Sequence, residues 1–112
     1  MHDEPDNALR RLEITSTDDP RGVTVALSGE LDLETTAELD RRLDRITKAN
    51  PGRVLLDLRG VGFMDSTGLA SILRAWSAAS TNGHDIALRR GSPQVQRLFE
   101  LTGVLDQLTF ED

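Results

Sequence analysis

A mixed α/β sheet, with its first two strands antiparallel, its later strands parallel and helices covering it, is the fold the sequence predicts. Three observations carry this. Two short segments with alternating apolar residues are separated only by a turn, which favours antiparallel pairing. Beyond them, segments with helical spacing alternate with short apolar runs, the order of parallel strands joined by right-handed crossovers. The chain of 112 residues, 38% hydrophobic and 29% charged, has the length and composition of one globular core.

Residues 1–8 are polar, are interrupted by Pro5 and read as a flexible tail, which leaves residues 9–112 as a single domain. The first strand is Leu12-Glu13-Ile14-Thr15, followed by the turn signal Ser16-Thr17-Asp18-Asp19-Pro20-Arg21-Gly22. Val23-Thr24-Val25-Ala26-Leu27-Ser28-Gly29 has the alternation of a half-buried strand. Glu30-Leu31-Asp32 leads to a helix whose start, Thr35-Thr36-Ala37-Glu38, matches a capping box, with Leu39, Leu43 and Ile46 on one stripe. Asn50-Pro51-Gly52 stops it. Val54-Leu55-Leu56-Asp57-Leu58 is almost continuously apolar, as expected of a strand covered on both faces or central in the sheet.

Phe63-Met64-Asp65-Ser66-Thr67-Gly68 then enters the clearest helix. Leu69, Ile72, Leu73 and Trp76 fall at i, i+3, i+4 and i+7, and Asn82-Gly83 ends the run. Trp76 reads as a core residue. Ile86-Ala87-Leu88 is a further strand. Ser92-Pro93 caps and starts a helix that turns Val95, Leu98 and Phe99 inward and stops at Gly103. Leu108-Thr109-Phe110 closes the sheet as an edge strand.

Composition removes several classes of function. There is no cysteine, so neither disulfides nor thiolate chemistry arise. A net charge of −6 argues against direct binding to nucleic acid or an anionic membrane, both of which need a cationic footprint. No apolar run approaches the ~20 residues that span a bilayer, and the polar N-terminal residues give no reason to expect a secretory leader. Lys48 is the sole lysine and has no phosphate-binding loop around it; Gly60-Val61-Gly62 is too short for a dinucleotide fingerprint. A receiver-type aspartyl-phosphate site could draw a carboxylate from Asp57 or Asp65, but it lacks a lysine at a suitable strand end. No histidine and carboxylate spacing suggests a metal site.

The turn at Asp65-Ser66-Thr67 is the most informative place. It lies at the carboxyl end of a strand, where ligands and partners of open α/β sheets dock. Its ordinary role is helix capping, and capping and function can coexist at one turn. A serine hydrolase would use Ser66 as nucleophile, but Met64 stands where the G-x-S-x-G elbow needs glycine. The only histidines are His2, in the tail, and His84, at the amino end of a parallel strand and so at the opposite sheet edge from Ser66. Gly29-Glu30-Leu31-Asp32 is a turn and helix entry in its plainest reading. If its strand runs parallel to the next, Glu30, Asp32, Asp65 and Ser66 share one acidic, hydroxyl-bearing edge.

These segments in this order, Gly29-Glu30-Leu31-Asp32, Thr36-Ala37-Glu38-Leu39, Phe63-Met64-Asp65-Ser66-Thr67-Gly68-Leu69 and Arg97-Leu98-Phe99-Glu100-Leu101-Thr102-Gly103, resemble the STAS domain. Within that family the sequence is most similar to bacterial anti-sigma factor antagonists, from about Leu12 to Phe110. The resemblance implies a STAS-like sheet and a non-enzymatic phospho-switch in the cytoplasm, with no cofactor and no metal. The unphosphorylated antagonist binds an anti-sigma factor that is also a serine kinase, which frees the sigma factor. The kinase phosphorylates the serine matched here by Ser66, and a metal-dependent serine phosphatase resets it. Thr67 stands where a second serine is common and is a minor candidate acceptor. The implied partner-binding residues are Gly29, Glu30, Asp32, Asp65, Ser66, Thr67 and Gly68. Related domains with a similar turn serve as STAS subunits of stress-signalling or lipid-transport ABC complexes, the alternative role. Members usually continue into a further C-terminal helix, so a domain lacking that helix is expected here.

Overall fold

The computed structural model describes residues 11–111; the expected tail at residues 1–8, with His2, lies outside them. β1 (Leu12–Asp19) and β2 (Gly22–Leu31) form a hairpin whose turn is fastened by Asp19, which accepts from the N–H groups of Arg21 and Gly22. Helix α1 (Thr36–Lys48), strand β3 (Arg53–Met64), helix α2 (Ser66–Thr81), strand β4 (Asp85–Arg89) and helix α3 (Pro93–Thr102) follow. A 3-10 turn (Leu105–Gln107) leads to the short edge strand β5 (Phe110–Glu111), two residues later than the sequence suggests. The five strands lie in chain order, β1 antiparallel to β2 and the remainder parallel, as predicted.

Consecutive right-handed crossovers put the helices on one sheet face. There Val23, Val25, Leu27, Val54, Leu56, Leu58, Ile86 and Leu88 meet Leu39 and Leu43 of α1, Leu69 and Ile72 of α2, and Val95 and Phe99 of α3 in one buried cluster. Ile46, Leu73, Trp76 and Leu98 pack partly buried against it, and Phe99 meets Phe110 edge-on. The opposite face carries Thr24, Ala26, Leu55, Asp57, Ala87 and Arg89. Burial alone would raise the Asp57 carboxyl, but hydrogen bonds from the Arg59 side chain and N–H, with Arg89 alongside, hold it below the usual range. Among the described residues no helix is long and apolar enough to cross a membrane.

The helix starts fit their sequences in two cases of three. Ser92 accepts from Val95 N–H at 3.3 Å, and Asp65 caps α2. The capping box at Thr35 does not form: Thr35 makes no side-chain cap, because its hydroxyl turns back into the loop before α1. β3 is also much longer than the apolar run predicts. It continues through Gly60-Val61-Gly62 to Met64, with irregularities in its pairing to β2 between Ala26 and Ser28 and between Gly29 and Glu30. At each of these β3 carries one more residue than β2, so the buried positions run Leu58, Val61, Met64 instead of alternating strictly.

Candidate functional site

β2 and β3 are parallel and end together, Leu31 opposite Met64, and the Asp65 N–H donates to the Leu31 carbonyl at 3.2 Å. The loops after the two strands therefore share one edge of the sheet. Asp65 is extended, and its Oδ1 accepts from Thr67 N–H at 3.0 Å, Gly68 N–H at 3.1 Å and the Thr67 hydroxyl at 2.5 Å. The Thr67 hydroxyl is the chief cause that holds the Asp65 carboxyl below the usual carboxylate range. The N–H groups of Gly68 and Thr67 act with it, while burial opposes.

Ser66 and Thr67, adjacent hydroxyl residues, have different surroundings. Ser66 is the first residue of α2 and is exposed, and no described residue holds its hydroxyl. Thr67 is half-buried with its hydroxyl committed to Asp65. Gly68 is buried: a Cβ there would lie 2.4 Å from the Leu31 carbonyl oxygen, so only glycine lets the first turn of α2 sit this close to the end of β2. This edge also has the donors that favour an anion, although Asp65 already occupies the N–H groups of Thr67 and Gly68.

The loop after β2 is tied to β1 by an arginine that sequence reasoning did not single out. Gly29 has φ +112°, and a Cβ there would meet the Arg11 carbonyl oxygen at 2.1 Å; the Glu30 N–H donates to that same oxygen at 2.7 Å. The Arg11 guanidinium donates to Glu30 at 2.6 Å and also contacts the carboxylates of Asp32 and Glu34. The hydrogen bond to Glu30 and the charge of Asp32 raise the Arg11 pKa further, against desolvation. Asp32 is only 8% exposed, and its Oδ1 accepts from Glu34 N–H at 3.0 Å. The Thr35 hydroxyl accepts from Asp32 N–H at 2.9 Å and donates to the Glu30 carbonyl at 3.0 Å. The edge is thus not uniformly acidic: Glu30, Asp32 and Glu34 converge on one cation. Nothing in the local pattern could signal this, since Arg11 lies 19 to 23 residues before its partners.

Two large apolar side chains also stand exposed on this edge, Leu33 in the loop and Phe63 near the end of β3. Among the described residues the side chains named for the other candidate chemistries are not brought together. His84 precedes β4, whose first residue pairs with Arg53 at the start of β3, so the length of a twelve-residue strand separates it from Ser66, roughly 35 Å. Proton transfer needs about 3 Å. Lys48 is at the end of α1 and pairs with Asp44 at 2.9 Å. Among the described residues no three histidine, aspartate or glutamate side chains gather into a metal-binding group.

Residues 14–109 match the family model described as "Mlab, STAS domain". A Staphylococcus aureus protein named anti-sigma-B factor antagonist is 32% identical over 95 residues, which cover 85% of this chain and 88% of the relative. The crystal structure of an anti-sigma factor antagonist from Mycobacterium paratuberculosis superposes with a TM-score of 0.77 at 22% identity, over 88% of this chain and 84% of that one. The anti-sigma factor antagonist SpoIIAA, solved in its unphosphorylated form, has the same fold, with a TM-score of 0.75 at 19% identity over 89% of each chain. By its sheet order, its Asp65-Ser66 turn and a family match that runs through nearly every element, this chain belongs to the STAS domain family.

Proposed function

We propose that this protein is an anti-sigma factor antagonist of the cytoplasm. Unphosphorylated, it binds an anti-sigma factor that is also a serine kinase, and so releases a sigma factor. Phosphorylation of Ser66 ends the binding, and a metal-dependent serine phosphatase restores it. The observation that carries this reading is the contrast at the start of α2: the Ser66 hydroxyl is exposed and held by no described residue, while that of Thr67 is locked onto Asp65. The name of the Staphylococcus aureus relative supports the regulatory role. Ser66 is accordingly the acceptor, Thr67 is secondary, and Gly29, Glu30, Asp32, Asp65 and Gly68 form or brace the docking edge.

The switch follows from charge. A phosphate adds about −1.5 to −2 charges beside the Asp65 carboxylate. The group stays in solvent, where the helix N-terminus favours it by about 0.3–1 kcal/mol, so the fold survives modification. A partner that closes over a neutral hydroxyl meets the opposite situation. Burying an unmatched dianion costs several kcal/mol, and a loss of about 3–4 kcal/mol weakens binding two to three orders of magnitude.

The test is phosphate transfer. The protein is incubated with ATP and each anti-sigma factor kinase of the source organism, and intact mass is measured. The expected result is a gain of one phosphate located on Ser66 and absent from Ser66→Ala. A gain that persists in Ser66→Ala, or no gain with any of these kinases, overturns the reading; stable capture of a transporter ATPase instead would assign the alternative STAS-subunit role.

A further inference from the structure

We infer that Leu33 and Phe63 are the apolar anchors by which the anti-sigma factor kinase docks around Ser66, seated in an apolar hollow of the kinase surface. This rests on the proposed function and specifies how the same edge is recognised. Three large apolar side chains are strongly exposed among the described residues: Leu33 at 74%, Phe63 at 51% and Leu101 at 74%. Leu101 is near the end of α3, which runs back from the carboxyl edge. The other two belong to the edge that carries Ser66, Leu33 in the loop after β2 and Phe63 one residue before the end of β3.

Their exposure is built into the backbone. Val61 is buried, so strict alternation along β3 would bury Phe63 as well. The pairing irregularity intervenes: Gly29 opposes Val61 and Glu30 opposes Phe63, so Gly62 is one residue too many on β3. That extra residue turns Phe63 outward and puts Met64 into the core in its place. At the end of β2 Leu31 is fully buried, whereas Leu33, two residues on in the loop, is strongly exposed. Bulges that re-aim one side chain are concentrated beside functional sites.

Reach identifies the occupant. An enzyme that transfers phosphate to Ser66 has to cover its surroundings, and a stable interface occupies about 800 Å² per partner, a disc of roughly 16 Å radius. Phe63 is three residues before Ser66, at most about 11 Å away along the chain. Leu33 is connected to Ser66 through the Leu31–Asp65 hydrogen bond by a path of at most about 17 Å. Phe63 therefore lies within the kinase footprint, and Leu33 at or inside its margin. An aromatic and an aliphatic side chain, flanked by the ionic cluster of Arg11, Glu30 and Glu34, have the make-up of an interface centre with its polar rim.

The experiment uses the kinase that labels Ser66 and measures its affinity for the unphosphorylated protein by calorimetry, with the KM for phosphorylation as a second readout. Leu33→Ala and Phe63→Ala are each expected to weaken binding about ten- to a hundredfold and to raise KM, while Leu101→Ala leaves both unchanged. Thermal melting checks the fold of each variant, and Leu33→Lys, at the more exposed position, tests the idea without touching β3. If Ser66 is phosphorylated and the Leu33 and Phe63 variants bind as the parent does, the anchors are refuted and the phospho-switch stands. If no kinase modifies Ser66, both fall together.

Discussion

The seating of α2 on the end of β2 makes a sharp prediction for Gly68→Ala. In an ordinary helix this change stabilises, because alanine is favoured over glycine by about 1 kcal/mol. Here the new methyl would lie 2.4 Å from the Leu31 carbonyl oxygen and 2.9 Å from Leu31 Cγ. Neither atom can yield easily. Leu31 is completely buried, and its carbonyl accepts the Asp65 N–H at 3.2 Å. Relief requires α2 to lift, at an overpacking cost of about 1–3 kcal/mol, and loss of the Asp65–Leu31 bond adds about 1 kcal/mol. The overlap outweighs the propensity gain, for a net destabilisation of about 1–3 kcal/mol. For a domain of this size the thermal midpoint should fall by about 4–13 °C. Circular dichroism melts read this directly. An unchanged or raised midpoint would refute the close approach of helix and strand.

Three further outcomes follow from the same edge. Asp65→Ala removes the cap of α2 and should cost about 1 kcal/mol at neutral pH; because the folded-state carboxyl titrates below its unfolded value, the charge-dependent part of that stabilisation is complete above about pH 5 and is lost as pH falls through the depressed pKa, so urea denaturation should show the gap between wild type and variant narrowing below about pH 4. Thr67→Val removes the chief cause of that depression, so the Asp65 carboxyl carbon should titrate at a higher pH by NMR. Arg11→Ala leaves Glu30, Asp32 and Glu34 without their shared cation and should lower the thermal midpoint by a few degrees at low ionic strength, an effect that shrinks in about 1 M salt if it is electrostatic.

Local chemistry made most of the fold legible. The stripe Leu39, Leu43 and Ile46, the stripe Leu69, Ile72, Leu73 and Trp76, and the caps Asp65 and Ser92 are each set within a few residues, and they specify helices whose place on the sheet follows from the alternation with strands. The common edge of the two loops was legible too, since parallel strands joined by a helix end on the same side. What escaped was decided between segments distant in sequence. The apolar run predicts a strand that stops at Leu58, but pairing with β2 carries it on through Gly60 and Gly62 to Met64, and the extra residues there decide which side chains face out. The Thr35 sequence fits a capping box, yet the hydroxyl finds better partners in the Asp32 N–H and the Glu30 carbonyl. The acidic residues of the loop suggest a bare negative patch, and only tertiary pairing with β1 brings Arg11 onto them.

The central claim concerns a single oxygen atom, and it is tested most directly by preparing the protein unmodified and phosphorylated on Ser66 and titrating both into the same anti-sigma factor kinase. The account predicts that the phosphorylated form binds at least a hundredfold more weakly while its thermal midpoint stays within a few degrees of the unmodified form. Equal affinity of the two forms, or a phosphorylated form that has lost its fold, would contradict it.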